Sequence, residues 1–343
     1  MTSTTGASYQ VEQPWPPASE GITDWGEDFH ALLLGDRLRM AAFRAAIREV
    51  VTPGAVVVDL GTGTGILAQW ALEAGAARVY GIDFNQSILD TAVERVTAAG
   101  HGTRFHPVHG MSFDIELPER ADVIVSETLG NLADNEGCVR ILTDARSRFL
   151  ADGGTLVPRR VETYLVPVAA TRAHEAVRRG GGPLGNTDQP PLPGTAGPFD
   201  TYYDTVVPWS AHLATPRLAR AYEFTVDESD EYQVTLSFLI RHEGAFTGFR
   251  GYFIADLSDT VTMDISGDEI AYGMTSDSWK HCYLPVEHPI PVRRGDRLTL
   301  SFSRRSSTKS FGQRYRWAGA VLRDTDVVGS FDQCSGVTPA RQG

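Results

Sequence analysis

The stretch that decides the fold is residues 55–65, which read Ala-Val-Val-Val-Asp-Leu-Gly-Thr-Gly-Thr-Gly. A short β-branched run that ends at glycines predicts a buried strand followed by a tight turn. Residues 66–74 are mostly apolar and predict a helix directly after the turn. Because glycines let a ligand approach the backbone at a helix N-terminus, we predict a nucleotide-binding site at Gly61, Gly63 and Gly65.

The segments on either side repeat the alternation of strand and helix. Arg78–Asp83 and Ala121–Ser126 are predicted strands, 87–99 and Cys138–Phe149 are predicted helices, and 151–154 is a predicted turn. Upstream, apolar residues recur at helical spacing over 29–51, with Asp28 as a cap, and predict one helix or two. Strands that alternate with helices indicate an α/β fold with a parallel, doubly wound sheet.

After Pro158 the pattern changes to strand-like segments such as 162–168, 232–240 and 297–303. A Gly- and Pro-rich stretch over 179–198, followed by Tyr202, is not expected in a core and fits an exposed or oligomerisation arm. We therefore predict a mobile arm over 1–22, helices and a Rossmann-like domain over 23–158, and a strand-rich domain over 159–343 with an inserted arm at about 173–215.

Composition excludes several classes of protein. The chain of 343 residues has a formal net charge of −12, which argues against a protein that follows phosphate backbones and is compatible with a cationic substrate. No apolar run is long enough to cross a bilayer. The cysteines Cys138, Cys282 and Cys334 are too widely spaced to indicate a zinc site. We expect a cytoplasmic protein that uses no metal and binds neither nucleic acid nor membrane.

The glycine turn and the next strand together indicate an adenosyl cofactor. The spacing is G-x-G-x-G, because position 66 is Ile, whereas dinucleotides are typically bound by G-x-G-x-x-G. Asp83, about 20 residues later, stands where a carboxylate can accept the ribose hydroxyls. The alternative is an ordinary turn followed by a solvent-exposed aspartate.

The loop 126–136, Ser-Glu-Thr-Leu-Gly-Asn-Leu-Ala-Asp-Asn-Glu, carries two glutamates. If Gly130 permits a reversal, Glu127 and Glu136 point into one small volume, which is unfavourable unless a cation lies between them. A guanidinium fits, because its planar donors pair with carboxylates, and the same negative charge would offset the positive sulfonium of S-adenosylmethionine. Alternatively, Glu136 only caps the following helix.

These residues together resemble the protein arginine methyltransferase family. The resemblance rests on 30–39, the motif 59–65, Asp83, the loop 126–136, Trp279 with Lys280, and 289–296. It implies a Rossmann-like class I methyltransferase domain followed by a β-barrel domain with an inserted dimerisation arm, and a homodimer. The implied cofactor is S-adenosyl-L-methionine, with S-adenosyl-L-homocysteine as product.

The resemblance also implies a role for each matching residue. Glu127 and Glu136 would clamp the guanidinium and are the candidate catalytic residues. The candidate cofactor-binding residues are Arg39, Asp59, Gly61, Gly63, Gly65, Asp83, Met111, Ser112 and Glu127. The candidate substrate-binding residues are Asp36, Asn131, Ser278 and Trp279.

The chain departs from the family pattern near the substrate. Ser278 replaces a histidine, Phe113 replaces a glutamate near the adenine, and Thr128 and Asn131 replace bulkier loop residues. We therefore expect methylation of the guanidino nitrogen of arginine, with free L-arginine slightly favoured over an arginyl protein. The alternatives are N- or O-methylation of another small metabolite, and an inactive dimeric scaffold.

Overall fold

The computed structural model describes residues 10–17, 33–180, 197–270, 272–306 and 313–335. Its first part is a five-stranded parallel sheet in the order β3-β2-β1-β4-β5. The strands are β1 (Val56–Leu60), β2 (Arg78–Asp83), β3 (Phe105–His109), β4 (Ala121–Ser126) and β5 (Leu150–Val157). The helices of this part are α1 (Arg37–Val50), α2 (Ile66–Glu73), α3 (Gln86–Ala98) and α4 (Cys138–Phe149).

The position of β1 in this sheet locates the ligand-binding edge. All five residues of β1 are buried, and the strand pairs in parallel with β2 on one side and β4 on the other. The strand order reverses between β1 and β4, and open α/β sheets bind ligands at such a point, outside the carboxyl ends of the strands. The glycine turn after β1 and the two-glutamate loop after β4 therefore lie side by side.

The second part of the chain is antiparallel. One sheet has the order β7-β12-β10-β6-β8, with β11 on β10, and the other has the order β15-β14-β13-β9. The strands are β6 (Arg160–Val168), β7 (Tyr203–Thr205), β8 (Arg217–Glu223), β9 (Tyr232–Leu239), β10 (Gly244–Asp256), β11 (Thr262–Asp264), β12 (His281–Val292), β13 (Arg297–Ser306), β14 (Gln313–Arg323) and β15 (Asp326–Cys334), and α5 (Thr171–Arg178) follows β6. Phe249 of β10 lies 6.0 Å from Phe238 and 5.7 Å from Phe331 of the other sheet, between ring centroids, so the two sheets enclose one apolar, barrel-like core.

The start of the chain is fixed where we predicted a mobile arm. Trp15 and Asp204 of β7 exchange backbone hydrogen bonds of 2.9 Å, and the Glu12 backbone N–H donates to Val206 at 2.8 Å. The Glu12 carboxylate also accepts the backbone N–H of Arg172 in α5 at 2.9 Å. The prediction of mobility is therefore wrong for residues 10–17, because the segment adds to the edge of a sheet, a pairing that its Ser, Thr and Pro content does not reveal.

Two other expectations need correction, and a third is untested. Tyr202 and Tyr203, assigned to an inserted arm, are 0% and 4% exposed, and β7 pairs with β12 in the barrel-like part. The predicted turn at 151–154 lies within β5, whose pairing with β4 shifts register at this point. Residues 33–35 are helical, and α1 begins at Arg37 with Asp36 as its N-cap; the proposed cap Asp28 lies outside the described residues, so that prediction is untested. No helix among the described residues is long and apolar enough to span a membrane.

Candidate active site

The turn after β1 has the backbone geometry that its glycines permit. Gly61, Gly63 and Gly65 have φ angles of 72°, 51° and 76°, a region that side chains strongly disfavour. Gly65 is the N-cap of α2, and a Cβ added there would lie 2.8 Å from the Cβ of Ala92. The turn therefore brings its backbone close to the surface at the start of a helix, where N–H groups and the helix dipole favour an electronegative ligand.

The buried side chain of Asp59 holds this turn in place. Its side chain is 0% exposed, and one carboxylate oxygen accepts the Thr62 hydroxyl at 2.7 Å and the Ala68 backbone N–H at 2.9 Å. Burial raises the pKa of Asp59 to about 7, against the hydrogen bonds from Thr62 and Ala68, and the nearby charge of Asp83 raises it further. The Asp59 side chain therefore holds the turn from within the protein, and its contact with a cofactor stays a prediction.

Asp83 occupies the carboxyl end of β2, where the sequence places it. Its carboxylate accepts the backbone N–H of Gly63 at 2.9 Å and of Asn85 at 2.9 Å, and the side chain is partly exposed. Each carboxylate oxygen can accept a second hydrogen bond, so the residue retains capacity for two hydroxyl groups. Met111 and Ser112 follow β3 at the same edge and are also partly exposed.

The side chains near the end of β3 differ from the pattern expected at an adenine site. Phe113 is partly exposed, and the guanidinium of Arg140 lies 5.9 Å from the centroid of its ring. The backbone oxygen of Ser112 accepts a hydrogen bond from Arg148 of α4 at the same place. An aromatic face thus stands where the family pattern has a carboxylate.

The loop after β4 reverses on itself. Gly130 and Ala133 form a β-bridge, with hydrogen bonds of 3.2 Å and 2.8 Å, and Ala133 has a φ of 67°. Gly130 is required for a steric reason, because an added Cβ would lie 2.1 Å from Oδ1 of the buried Asn135. The reversal brings Glu136 back toward the strand end that carries Glu127.

Both glutamates interact with the same guanidinium, that of Arg39 in α1. Arg39 forms an ion pair with Glu127, and its charge lowers the pKa of Glu136. Burial nevertheless raises the pKa of Glu136 to about 8, and the negative charge of Asp204 adds to that rise. Burial also lowers the pKa of Arg39 to about 10, against the opposing charges of Glu136 and Asp36. The two carboxylates and a cation therefore share one partly enclosed volume.

An aromatic ring closes one side of this volume. The Arg39 guanidinium lies 5.0 Å from the centroid of Trp279, and the Trp279 indole N–H donates to the backbone oxygen of Leu129 in the loop. Trp279 is 6% exposed, so it serves as a wall and only its edge reaches solvent. A cation beside an aromatic face in a desolvated site is stabilised by up to about 2 kcal/mol.

Asp36 joins the N-terminal helix to the segment before Trp279. Its carboxylate accepts hydrogen bonds from the hydroxyls of Ser276 and Ser278, with 2.7 Å to Ser278, and from the backbone N–H of Ser278 and Arg39 at 3.1 Å each. Burial alone would raise the pKa of Asp36, but these hydrogen bonds outweigh it and hold the pKa below its ordinary value. Two serine hydroxyls thus satisfy Asp36 where the family pattern has a histidine.

Sequence reasoning missed Asp204. Its carboxylate accepts a hydrogen bond of 2.6 Å from the side-chain amide of Asn131, which in turn accepts one of 3.1 Å from Asn135. Asp204 lies far from the loop in the sequence, and the pairing of β7 with β12 brings it there. In the sequence, Asp204 is simply an acidic residue within the predicted arm, and this did not indicate a functional site.

The groups around the glycine turn suit an organic cofactor. Within the described ranges, no group of three or more His, Cys, Asp or Glu side chains could hold a metal ion. The glycine turn and the partly exposed Asp83 instead provide backbone donors and a carboxylate acceptor, a set that suits an adenosyl group.

Comparison with known families agrees with this geometry. A methyltransferase domain model matches residues 57–154, and a model of the PRMT5 oligomerisation domain matches residues 160–328. Over 142 residues the chain is 37% identical to a probable protein arginine N-methyltransferase 6 of Arabidopsis thaliana, a match that covers 41% of this chain and 32% of the relative. It is 28% identical to protein arginine N-methyltransferase 5 of Xenopus laevis over 77% of this chain and 41% of the relative. The chain thus spans well under half the length of these curated relatives.

Solved structures share the fold across most of the chain. Arabidopsis thaliana protein arginine methyltransferase 10 superimposes with a TM-score of 0.76 at 21% identity, over 89% of this chain and 96% of that one. A Trypanosoma brucei PRMT1 enzyme-prozyme heterotetrameric complex with AdoHcy gives a TM-score of 0.76 at 17% identity, over 92% and 99%.

The fold and the site define a class I methyltransferase domain joined to an antiparallel, barrel-like domain, as the sequence predicted. The two family models and the curated relatives together support the protein arginine methyltransferase family for this chain.

Proposed function

We propose that this protein transfers a methyl group from S-adenosylmethionine to a guanidino nitrogen of arginine. The observation that carries the proposal is the convergence of Glu127 and Glu136 on one guanidinium, that of Arg39, beside the glycine turn. Carboxylates that accommodate one guanidinium have the negative charge and the hydrogen-bond acceptors to accommodate a second one next to it.

The cofactor would be held by the turn and by α1. Gly61 exposes backbone in the turn before α2, and Asp83 retains acceptor capacity for ribose hydroxyls. The guanidinium of Arg39 could pair with the cofactor carboxylate while remaining close to Glu127. When bound, S-adenosylmethionine supplies an electrophilic methyl group on a positively charged sulfur.

The acidic residues solve an electrostatic problem. A sulfonium and a guanidinium repel each other strongly in a desolvated pocket unless fixed negative charge is present. Glu127 pairs with Arg39, Glu136 feels the charge of Arg39, and the negative charge of Asp204 acts on Glu136. We propose that Glu127 and Glu136 orient one terminal nitrogen toward the methyl group and concentrate electron density on it.

One proton must leave when the nitrogen gains a methyl group. Glu136 has a pKa raised to about 8, so it binds a proton more tightly than an ordinary carboxylate. A base with a pKa near the working pH is well matched to this task. We propose that Glu136 accepts the proton and passes it to solvent at the rim of the site.

Two departures in the loop support a small substrate. Thr128 and Asn131 are shorter than the residues they replace, and Asn131 is held by Asp204. The negative charge of Asp204, which acts on Glu136, would suit the ammonium group of a free amino acid. We therefore place free L-arginine slightly before an arginyl peptide, and methylation of another amine next.

Assembly and location complete the proposal. The match of residues 160–328 to the PRMT5 oligomerisation domain supports a homodimer. Light scattering coupled to size-exclusion chromatography should give twice the chain mass of 37.4 kDa, and a monomer that is fully active would refute a functional dimer. We propose that the protein acts in the cytoplasm.

The decisive experiment offers methyl-labelled cofactor with free arginine, an arginine-rich peptide or other amines, and analyses the products by tandem mass spectrometry. We expect label on the guanidino group of free arginine, and label on another amine would favour the alternative methyltransferase. Glu127→Gln should retain S-adenosylhomocysteine binding in calorimetry and lose at least about 100-fold in turnover, as removal of one preorganised electrostatic group typically does. Absence of cofactor binding by the wild-type protein would support an inactive scaffold.

A further inference from the structure

A buried polar cluster lies behind the two-glutamate loop. Asp134 is 0% exposed, and its two carboxylate oxygens accept the hydroxyls of Tyr315 and Tyr222, the latter at 2.8 Å. The Nε atom of Arg304 lies 3.7 Å from the same carboxylate. We refer to Asp134, Tyr222, Tyr315 and Arg304 as the Asp134 cluster, and they join the loop to strands β8, β13 and β14.

The backbone of the loop is fixed to the barrel-like domain as well. Arg304 donates to the backbone oxygen of Asp134 at 3.0 Å, and Gln313 donates to that of Asn135 at 2.7 Å. The Thr163 hydroxyl of β6 donates to the backbone oxygen of Leu132 at 2.8 Å. Three of the four carbonyl groups just before Glu136 therefore depend on side chains of the other domain.

A buried polar cluster of this kind is not needed for the stability of the fold, which apolar packing can provide. Burial raises the pKa of Asp134, against the charge of Arg304 and the hydroxyls of Tyr315 and Tyr222. Well-packed apolar residues often stabilise a core as much as a buried ion pair does or more, while a buried polar network can fix one geometry among several. Asp134 precedes Glu136 by two residues, so the geometry it fixes is that of the loop end.

We infer that Asp134 is a positioning residue that acts through Tyr222, Tyr315 and Arg304 to set the place of Glu136 against Arg39. The inference rests on the proposed function, because it assigns Glu136 to the reaction. Residues of β8, β13 and β14 in the barrel-like domain would then affect the rate of the reaction without touching the substrate.

Removal of single hydroxyl groups tests this inference. Tyr222→Phe and Tyr315→Phe each remove one donor to Asp134, and Tyr283→Phe is the matched control. Tyr283 is equally buried and donates to the backbone oxygen of Thr247 at 2.8 Å, within a separate apolar cluster. For each variant we would measure kcat and KM for arginine, the Kd for S-adenosylhomocysteine, and the thermal midpoint.

We expect kcat to fall at least about tenfold in Tyr222→Phe and Tyr315→Phe, while KM and the cofactor Kd stay within about twofold. Tyr283→Phe should lower the thermal midpoint by a similar amount and leave kcat within about twofold. Equal kcat values in all three variants would overturn the inference, because the loss of the Asp134 donors would then have no specific effect.

Hydrogen exchange provides a readout that does not need turnover. Amides of residues 128–137 should exchange at least about tenfold faster in Tyr222→Phe and Tyr315→Phe than in Tyr283→Phe. If the wild-type protein methylates no arginine, the proposed function fails, and this comparison alone decides whether the cluster holds the loop. Unchanged exchange in this segment would refute the positioning role in either case.

Discussion

Replacement of Gly130 by alanine should disable the loop through one steric contact. The added Cβ would lie 2.1 Å from Oδ1 and 2.4 Å from Cγ of Asn135, whereas ordinary contacts begin near 3.4 Å. Asn135 must therefore move by about 1 Å or more, which strains its hydrogen bonds of 2.9 Å from Leu132, 3.1 Å to Asn131 and 3.3 Å to Tyr202. Each buried polar group left without a partner costs about 1–3 kcal/mol.

We expect Gly130→Ala to lower the free energy of unfolding by about 2–4 kcal/mol, since the loop will relax in part. For a chain of this size that corresponds to a fall of roughly 3–6 °C in thermal midpoint by differential scanning fluorimetry. Turnover should fall at least about tenfold, because Glu136 directly follows Asn135.

Gly244→Ala provides the matched control. Gly244 begins β10, and a Cβ there would meet Leu213 at 3.4 Å and Ala169 at 3.5 Å, which are ordinary contacts. Its thermal midpoint should change by less than about 2 °C, as surface-like substitutions usually do. If Gly130→Ala were as stable and as active as Gly244→Ala, the close packing of Asn135 against the loop reversal would be wrong.

Three further predictions concern the cofactor turn, the acid limb of activity and the serine pair. Gly65→Ala should weaken S-adenosylhomocysteine binding at least about tenfold in calorimetry, because its Cβ would lie 2.8 Å from that of Ala92 at a φ of 76°; unchanged affinity would contradict the cofactor site. The value of kcat/KM should rise with pH up to about 8, because Glu136 must lose its proton to hold a cation and burial raises its pKa to about 8. A kcat/KM that stays constant between about pH 6 and about pH 9 would contradict this titration. Ser278→Ala leaves Asp36 with the Ser276 hydroxyl and should reduce turnover by less than about tenfold, whereas Asp36→Ala should reduce it more; the reverse order would separate Asp36 from the site.

The parallel sheet was predictable because its signals are local. Val56–Leu60 is buried on both faces, and such strands read as uninterrupted apolar runs ended by glycine. The turn geometry follows equally directly, since Gly61, Gly63 and Gly65 all adopt backbone angles that favour glycine. The three predicted strands agree closely with β1, β2 and β4, whereas β3 was not predicted and part of β5 was predicted as a turn.

The residues that the antiparallel part of the chain contributes near the loop were not predictable in the same way. Asp204 reaches Asn131 only because β7 pairs with β12, and Tyr315 reaches Asp134 from 181 positions along the chain. Long-range pairing of this kind leaves no periodic signal in the sequence. Nor did the sequence indicate that Trp15 would extend the same sheet, because an isolated bridge has no pattern of its own.

The central claim is that fixed negative charge from Glu127 and Glu136 holds a cationic guanidinium beside the cofactor. Citrulline tests it most directly, because it has nearly the shape of arginine and lacks the positive charge. Calorimetry on protein saturated with S-adenosylhomocysteine, at a pH of about 9 so that Glu136 is ionised, should show arginine binding at least about tenfold more tightly than citrulline, a difference of about 1.4 kcal/mol. That difference should largely disappear in Glu136→Gln, whereas equal binding of the two ligands to the wild-type protein would contradict the account.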